Sequence, residues 1–177
     1  MDTIRAKEEL ARFLTSQCAP MLAQALLELA EDYEPVRQRL ERMRLHGDPA
    51  ALTAEFTERL QRWEADHRYV RHHDAADFGH QLDVWVSQVQ REVLPRFPAE
   101  AMTLFAAFLD LDRVMFERVD DDGCYIGGSF ELACQLWMTA AQSAGLSVEE
   151  ISARASELLA KDDYGARSPL AAVLHRQ

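Results

Sequence analysis

Apolar residues recur along the chain at intervals of three and four, which places them on one face of an α-helix. Phe78, Leu82, Trp85 and Val89 follow this spacing within a single segment. No segment shows a convincing alternation of apolar and polar residues with a period of two, as a half-buried strand would. The sequence therefore predicts an all-α fold of seven to eight helices, arranged as a bundle or as a short array of helical hairpins similar to tetratricopeptide repeats.

Capping residues indicate where several helices begin. Asp48 precedes Pro49, a residue favoured at the first helical position. Ser147 is followed three residues later by Glu150, which is the spacing of a capping box. Asp74 is expected to cap the long helix that carries Phe78 and Trp85.

The most apolar segment extends from residue 102 to residue 115. Its breadth predicts one buried helix running close to Val119, with an excess of apolar surface that leaves a patch for assembly. Four aromatic side chains are expected in the core: Trp85, Phe105, Phe108 and Trp137.

The composition suits one compact domain over residues 1–177. Hydrophobic residues make up 48% of the 177 residues, and a chain of this length buries about 70% of the surface that its unfolded form exposes. Seven glycines and six prolines leave no room for a flexible or proline-rich linker.

The net charge limits the classes of partner. Nineteen basic and thirty acidic residues give a formal charge of −11. Direct nucleic-acid binding is not expected, because it requires clustered lysine and arginine. An alternative is that the acidic surface mimics nucleic acid and inhibits a DNA- or RNA-binding protein.

Cysteine usage and the first residues predict a cytoplasmic protein with no membrane association. Cys18, Cys124 and Cys134 are odd in number and lack the spacing of a disulfide framework or a zinc finger. The first residues, MDTIRAKEE, contain no apolar core of a signal peptide, and no window reaches 18 apolar residues.

A histidine-rich segment between His67 and His80 is the candidate for metal binding. His73, Asp77 and His80 stand at positions i, i+4 and i+7, so a helix beginning near Asp74 places them on one face. Imidazole and carboxylate groups are ligands that suit zinc. A solvated helix start explains the same residues without a metal, and no cofactor is otherwise indicated.

Three carboxylates before a glycine, in the segment VDDDG at 119–123, suggest a calcium loop that the flanking residues do not support. With Gly123 at the sixth position of an EF-hand loop, Arg118 would replace the first acidic ligand and Ser129 the bidentate glutamate. The loop is instead predicted to be a turn or a partner-binding element, formed by Asp120, Asp121, Asp122 and Tyr125.

Several stretches resemble a helical domain of unknown function that follows SWIM-type zinc fingers in bacterial proteins. The resemblance extends over roughly residues 20–163 and rests on LLELAED (26–32), VRQRL (36–40), GDPAAL (47–52), Tyr69-Val70 and VDDDG (119–123). The zinc-binding C-x-C…C-x-H element is absent from this chain, so DNA binding is not carried over. The resemblance implies a stand-alone helical scaffold, and it supplies no catalytic residue.

These observations favour a protein–protein interaction or scaffold module without catalytic activity. The protein partner is not identified by the sequence, and self-association is one possibility. Two alternatives stay open: the acidic nucleic-acid mimic, and a metal-binding protein or enzyme that uses the His67–His80 region.

Overall fold

A computed structural model describes the backbone of residues 2–174 and the side chains of residues 4–172. The chain divides into two compact units, Met1–Gly47 and Asp48–Gln177. The predicted single domain over residues 1–177 covers both units, and it stays a prediction.

The described backbone forms ten α-helical segments and no β-strand. They are α1 (Asp2–Thr15), α2 (Ala19–Asp32), α3 (Glu34–Arg44), α4 (Pro49–Ala65), α5 (His72–Glu92), α6 (Pro98–Leu109), α7 (Asp112–Arg118), α8 (Gly127–Ser143), α9 (Val148–Leu159) and α10 (Ala171–Leu174). Short 3-10 turns cover Leu45–Gly47 and Ser168–Leu170. Eight of the ten segments contain eleven residues or more, which confirms the predicted all-α class and helix number.

Two of the three predicted helix caps are confirmed. Asp48 Oδ1 accepts a hydrogen bond of 3.0 Å from the backbone N–H of Ala51. At the start of α9, the Glu150 N–H donates to Ser147 Oγ at 3.2 Å and the Ser147 N–H donates to Glu150 Oε2 at 2.8 Å. Both caps join residues three positions apart, so the local sequence is sufficient to specify them.

The predicted cap at Asp74 is wrong, because the N-cap residue of α5 lies three positions earlier. Arg71 is the N-cap residue, with extended backbone angles, and Asp74 lies in the first helical turn. Val70, the residue before Arg71, forms an isolated parallel bridge with Val119. This pairing holds the chain extended up to Arg71, and the helix starts directly afterwards.

A stack of aromatic rings forms the centre of the unit at residues 48–177. The rings of Trp85 and Phe108 lie 5.2 Å apart between centroids, and those of Phe108 and Phe130 lie 4.7 Å apart. The indole N–H of Trp85 donates to the carbonyl of Phe56 at 3.3 Å, so the buried donor is satisfied. The predicted burial of Trp85, Phe105, Phe108 and Trp137 is confirmed.

The predicted single helix over residues 102–115 is wrong. The segment divides into α6, which ends at Leu109, and α7, which begins at Asp112. The expected patch for assembly is also absent from this described segment, since its large apolar side chains are buried except for the half-buried Val114.

The break between α6 and α7 is occupied by Arg167, whose side chain is 1% exposed. In a continuous helix, the carbonyl of Leu109 would accept from the N–H of Arg113. Here it accepts from Arg167 Nη2 at 2.8 Å, and the Arg113 N–H donates to Asp112 Oδ1 at 2.7 Å. The arginine thus takes the place of a helical hydrogen bond.

All five N–H groups of the Arg167 guanidinium find acceptors. Nε and Nη2 donate to the two carboxylate oxygens of the buried Asp112, at 2.8 and 3.0 Å. Nη1 donates to Asp110 Oδ1 at 3.2 Å and to the carbonyl of Leu158 at 3.0 Å. The bidentate pair therefore joins Arg167 to α7, and the hydrogen bond to Leu158 joins it to α9.

We predict that Arg167→Met lowers the free energy of unfolding by about 3–5 kcal/mol, because it leaves the buried Asp112 without its counter-charge. Chemical denaturation monitored by circular dichroism measures this change. Arg113→Met is the matched control: its exposed ion pair with Glu117 predicts a loss below about 1 kcal/mol. Equal losses for the two variants would contradict the structural role of Arg167.

Candidate functional site

The acidic loop at residues 119–126 packs against the first half of α5. A Cβ atom built on Gly79 would lie 2.5 Å from the carbonyl oxygen of Tyr125, so only glycine permits this approach. The ring of Tyr125 lies 6.4 Å from that of His72 between centroids. The structure therefore brings the predicted partner-binding loop next to the predicted metal-binding helix, which sequence reasoning treated as separate sites.

A pair of backbone hydrogen bonds fixes the start of the loop. The Val70 N–H donates to the carbonyl of Arg118, and the Asp120 N–H donates to the carbonyl of Val70, both at 2.9 Å. Arg118 is buried beneath this pairing, where its side chain donates to the carbonyl of Asp66 and lies over the ring of Phe78 at 5.2 Å. Burial lowers the pKa of Arg118, while the nearby Asp66 carboxylate opposes this shift.

The carboxylate of Asp121 is used inside the loop. Its Oδ1 accepts from the backbone N–H groups of Tyr125 and Ile126. Cys124 adopts a positive φ of 56°, and a Cβ on Gly123 would lie 2.2 Å from the ring of Tyr125. These contacts give Asp121 and Gly123 a structural role and leave Asp122 exposed at the tip of the loop.

The candidate metal ligands His73, Asp77 and His80 are all exposed on α5. His73 Nε2 lies 3.2 Å from Asp74 Oδ2, and both side chains are exposed. Among the residues that the structure describes, no three His, Cys, Asp or Glu side chains group closely enough to hold a metal ion. The metal site stays a prediction, for which the structure offers no assembled set of ligands.

A groove of about 800 Å³ with a mixed polar and apolar lining runs beside the same joint. Its lining includes Asp66, Tyr69, Asp74 and Asp77. Arg68 donates to both carboxylate oxygens of Asp66 at 2.9 Å, and these hydrogen bonds hold the pKa of Asp66 well below its ordinary value. The groove is open to water, and its lining combines these charged side chains with the rings of Trp63 and Phe78.

The three cysteines differ in exposure. Cys18 and Cys124 are exposed, whereas Cys134 is buried in α8 with its Sγ 3.9 Å from the carbonyl of Ala166. Burial raises the pKa of Cys134 to about 12, so its thiol stays protonated at neutral pH.

Residues 4–47 carry a second candidate site that sequence reasoning missed. All of the described hydrophobic side chains that are buried lie between Leu52 and Leu170. The amphipathic stripes of the first helices are instead exposed. We call them the N-terminal apolar surface, which consists of Ile4, Leu10, Phe13, Leu14, Met21, Leu26, Leu27, Leu29, Tyr33 and Met43.

The spacing of these residues is that of helix-packing faces. Leu10, Phe13 and Leu14 stand at i, i+3 and i+4 and share one face of α1. On α2, Leu26 and Leu29 share a face with the half-buried Leu22. The periodicity was visible in the sequence, but it gives no sign that these faces stay exposed.

These features define a class of protein: it is all-helical, and it has a loop-to-helix joint and an exposed apolar surface. The chain matches the family of unknown function DUF6880 over residues 7–177 and belongs to that family. No curated protein and no solved structure matches the chain. The association with SWIM-type zinc fingers is a finer statement than this family match, and it stays a prediction.

The close approach at Gly79 makes a prediction about the joint. We expect Gly79→Ala to lower the free energy of unfolding by about 1–3 kcal/mol, because the added methyl group meets a backbone carbonyl that cannot move away freely. Gly128→Ala is the control, since a Cβ at Gly128 meets nothing within 4 Å. Urea denaturation of both variants checks this, and a neutral or stabilising effect at Gly79 would show that the loop does not pack there.

Thiol labelling checks the cysteine environments. At pH 8 we expect two thiols, Cys18 and Cys124, to react with an aromatic disulfide reagent in the native protein, and the third to react only after denaturation. In Cys134→Ala, two thiols should react in both states. Three equally fast thiols in the native protein would place Cys134 at the surface.

Proposed function

We propose that this protein is a protein–protein interaction module that binds its partner through the N-terminal apolar surface and catalyses no reaction of its own. The observation that supports this most directly is the uneven exposure of large apolar side chains. Ten of the fourteen exposed ones lie in residues 4–47, and four lie in the much longer remainder of the described chain. Exposed apolar area of this extent is typical of interaction sites.

The energetics of the first three helices support the same proposal. Helices gain most of their stability in proteins by burying an apolar face. On α1, Leu10 and Phe13 are more than half exposed, so this gain is not realised. A partner that covers these faces removes apolar area from water at roughly 25 cal/mol per Å² and stabilises the helices at the same time.

The polar clusters support a role without catalysis. Asp121 accepts hydrogen bonds within its own loop, and Asp112 is paired with Arg167 in the interior. The buried thiol of Cys134 stays protonated. Each of these groups therefore has a structural role: the two carboxylates hold hydrogen bonds of the fold, and the thiol lies in the core.

The alternative of an acidic mimic is supported by the distribution of charge. Residues 48–177 contain twenty-two acidic and twelve basic side chains, which is a formal charge of −10. A partner bound to this part would be held mainly by charge, so its affinity would fall steeply as salt rises.

No helix between residues 2 and 174 combines the length and the apolar character needed to cross a bilayer.

A substitution experiment tests the proposal. We expect partners captured by the immobilised full chain from a lysate of the source cells to be lost with the double variant Leu10→Glu/Phe13→Glu. Capture should be retained with Val148→Glu, which changes an exposed apolar residue outside the N-terminal apolar surface. The captured partner is then purified, and its Kd is measured in 0.1 M and 1 M salt.

For an apolar contact we expect the Kd to change by less than about threefold between the two salt concentrations. A loss of several orders of magnitude would favour the acidic mimic instead. Binding that is equal in wild type, double variant and control would contradict the N-terminal apolar surface as the binding site.

A further inference from the structure

The charge of the chain is distributed unevenly between its two units. Residues 1–47 contain eight acidic and seven basic side chains, which is a formal charge of −1. Some of these charges are paired within their own helices: Arg5 Nε lies 3.2 Å from Glu9 Oε1 on α1, and Arg37 pairs with Glu34 on α3. Almost all of the net charge of −11 therefore belongs to residues 48–177.

This distribution determines where two copies of the chain can meet. In a twofold dimer the same patch of each subunit faces its own copy, so a charged patch faces like charge. Contact through residues 48–177 would bring two formal charges of −10 together. Contact through residues 1–47 brings together two nearly neutral surfaces that carry most of the exposed large apolar side chains.

The summed exposed area of these side chains is comparable with that of a standard interface. The ten side chains of the N-terminal apolar surface are between 40% and 70% exposed. Together they present on the order of 1,000 Å² of accessible area, whereas a standard stable interface buries about 800 Å² on each partner. This area is distributed along residues 4–43, so a dimer formed through α1 and α2 would have to bury most of it.

The side chains also suit contact between helices. Leu10, Phe13 and Leu14 form a ridge on α1 at the i, i+3 and i+4 spacing that packs into the grooves of another helix. A leucine-rich face packs well against a copy of itself, because it has no donor or acceptor that needs a specific partner.

We infer that the partner of the N-terminal apolar surface is a second copy of this chain, and that the two copies form a twofold dimer through α1 and α2. This inference rests on the proposed function and names the partner of the same surface. Apolar contacts hold the dimer, and the acidic residues 48–177 contribute no attraction between the copies.

Light scattering of the full chain after size exclusion tests the inference. At about 50 µM we expect wild type and Val148→Glu to show twice the 20.1 kDa of one chain. Leu10→Glu/Phe13→Glu should show the mass of one chain, with the dimer Kd raised at least about 30-fold. The dimer should persist in 1 M salt, because little charge is involved.

A second, milder variant separates loss of assembly from loss of folding. Leu10→Ala/Phe13→Ala retains good helix formers at both positions and should weaken the dimer while circular dichroism shows unchanged helix content. A wild-type monomer at about 50 µM, or a dimer unaffected by both double variants, would overturn the inference.

The outcomes also distinguish this inference from the proposed function. If wild type is a monomer but captures another protein through Leu10 and Phe13, the interaction module stands and the second copy is the wrong partner. If wild type is a monomer and the double variant captures the same proteins as wild type, both proposals fail.

Discussion

The arrangement of the C-terminal half depends on the hydrogen bonds that the buried guanidinium of Arg167 donates. The guanidinium pairs with Asp112, and it donates to the carbonyl of Leu109, which therefore makes no helical hydrogen bond. It also donates to the carbonyl of Leu158 near the end of α9. A buried ion pair of this kind contributes little net stability over a well-packed apolar replacement, but it is costly to break. Its main effect is therefore geometric, since it fixes where α6 ends and where the chain after α9 returns.

A second constraint is the close approach of the acidic loop to α5. The absence of a side chain at Gly79 lets the carbonyl of Tyr125 reach the helix, and the bridge between Val70 and Val119 aligns the two segments. The loop resembles a cation site in sequence, yet Asp121 directs its carboxylate to backbone N–H groups of the loop itself. Asp121 thus stabilises the turn, and the groove lined by Asp66 and Asp77 lies beside it.

The two units differ in how they use their apolar residues. In residues 48–177 the stripes meet one another around the stacked rings of Trp85, Phe108 and Phe130. In residues 4–47 the stripes of α1 and α2 are exposed, with Phe13 and Leu27 each more than half accessible to water. The same pattern in the sequence therefore leads to a core in one unit and to an exposed surface in the other. The proposals for function depend on this contrast, together with the near neutrality of the first unit.

The sequence by itself determined the helical class, most helix positions and the caps at Asp48 and Ser147, because periodicity and capping act between residues three or four apart. Tertiary structure decided what depends on distant residues. The break before Asp112 needs Arg167, which is 55 positions away, and the start of α5 needs the pairing of Val70 with Val119. The exposure of the apolar faces of α1 and α2 could not be predicted from the sequence either, because an amphipathic pattern specifies an apolar face but does not specify what covers it.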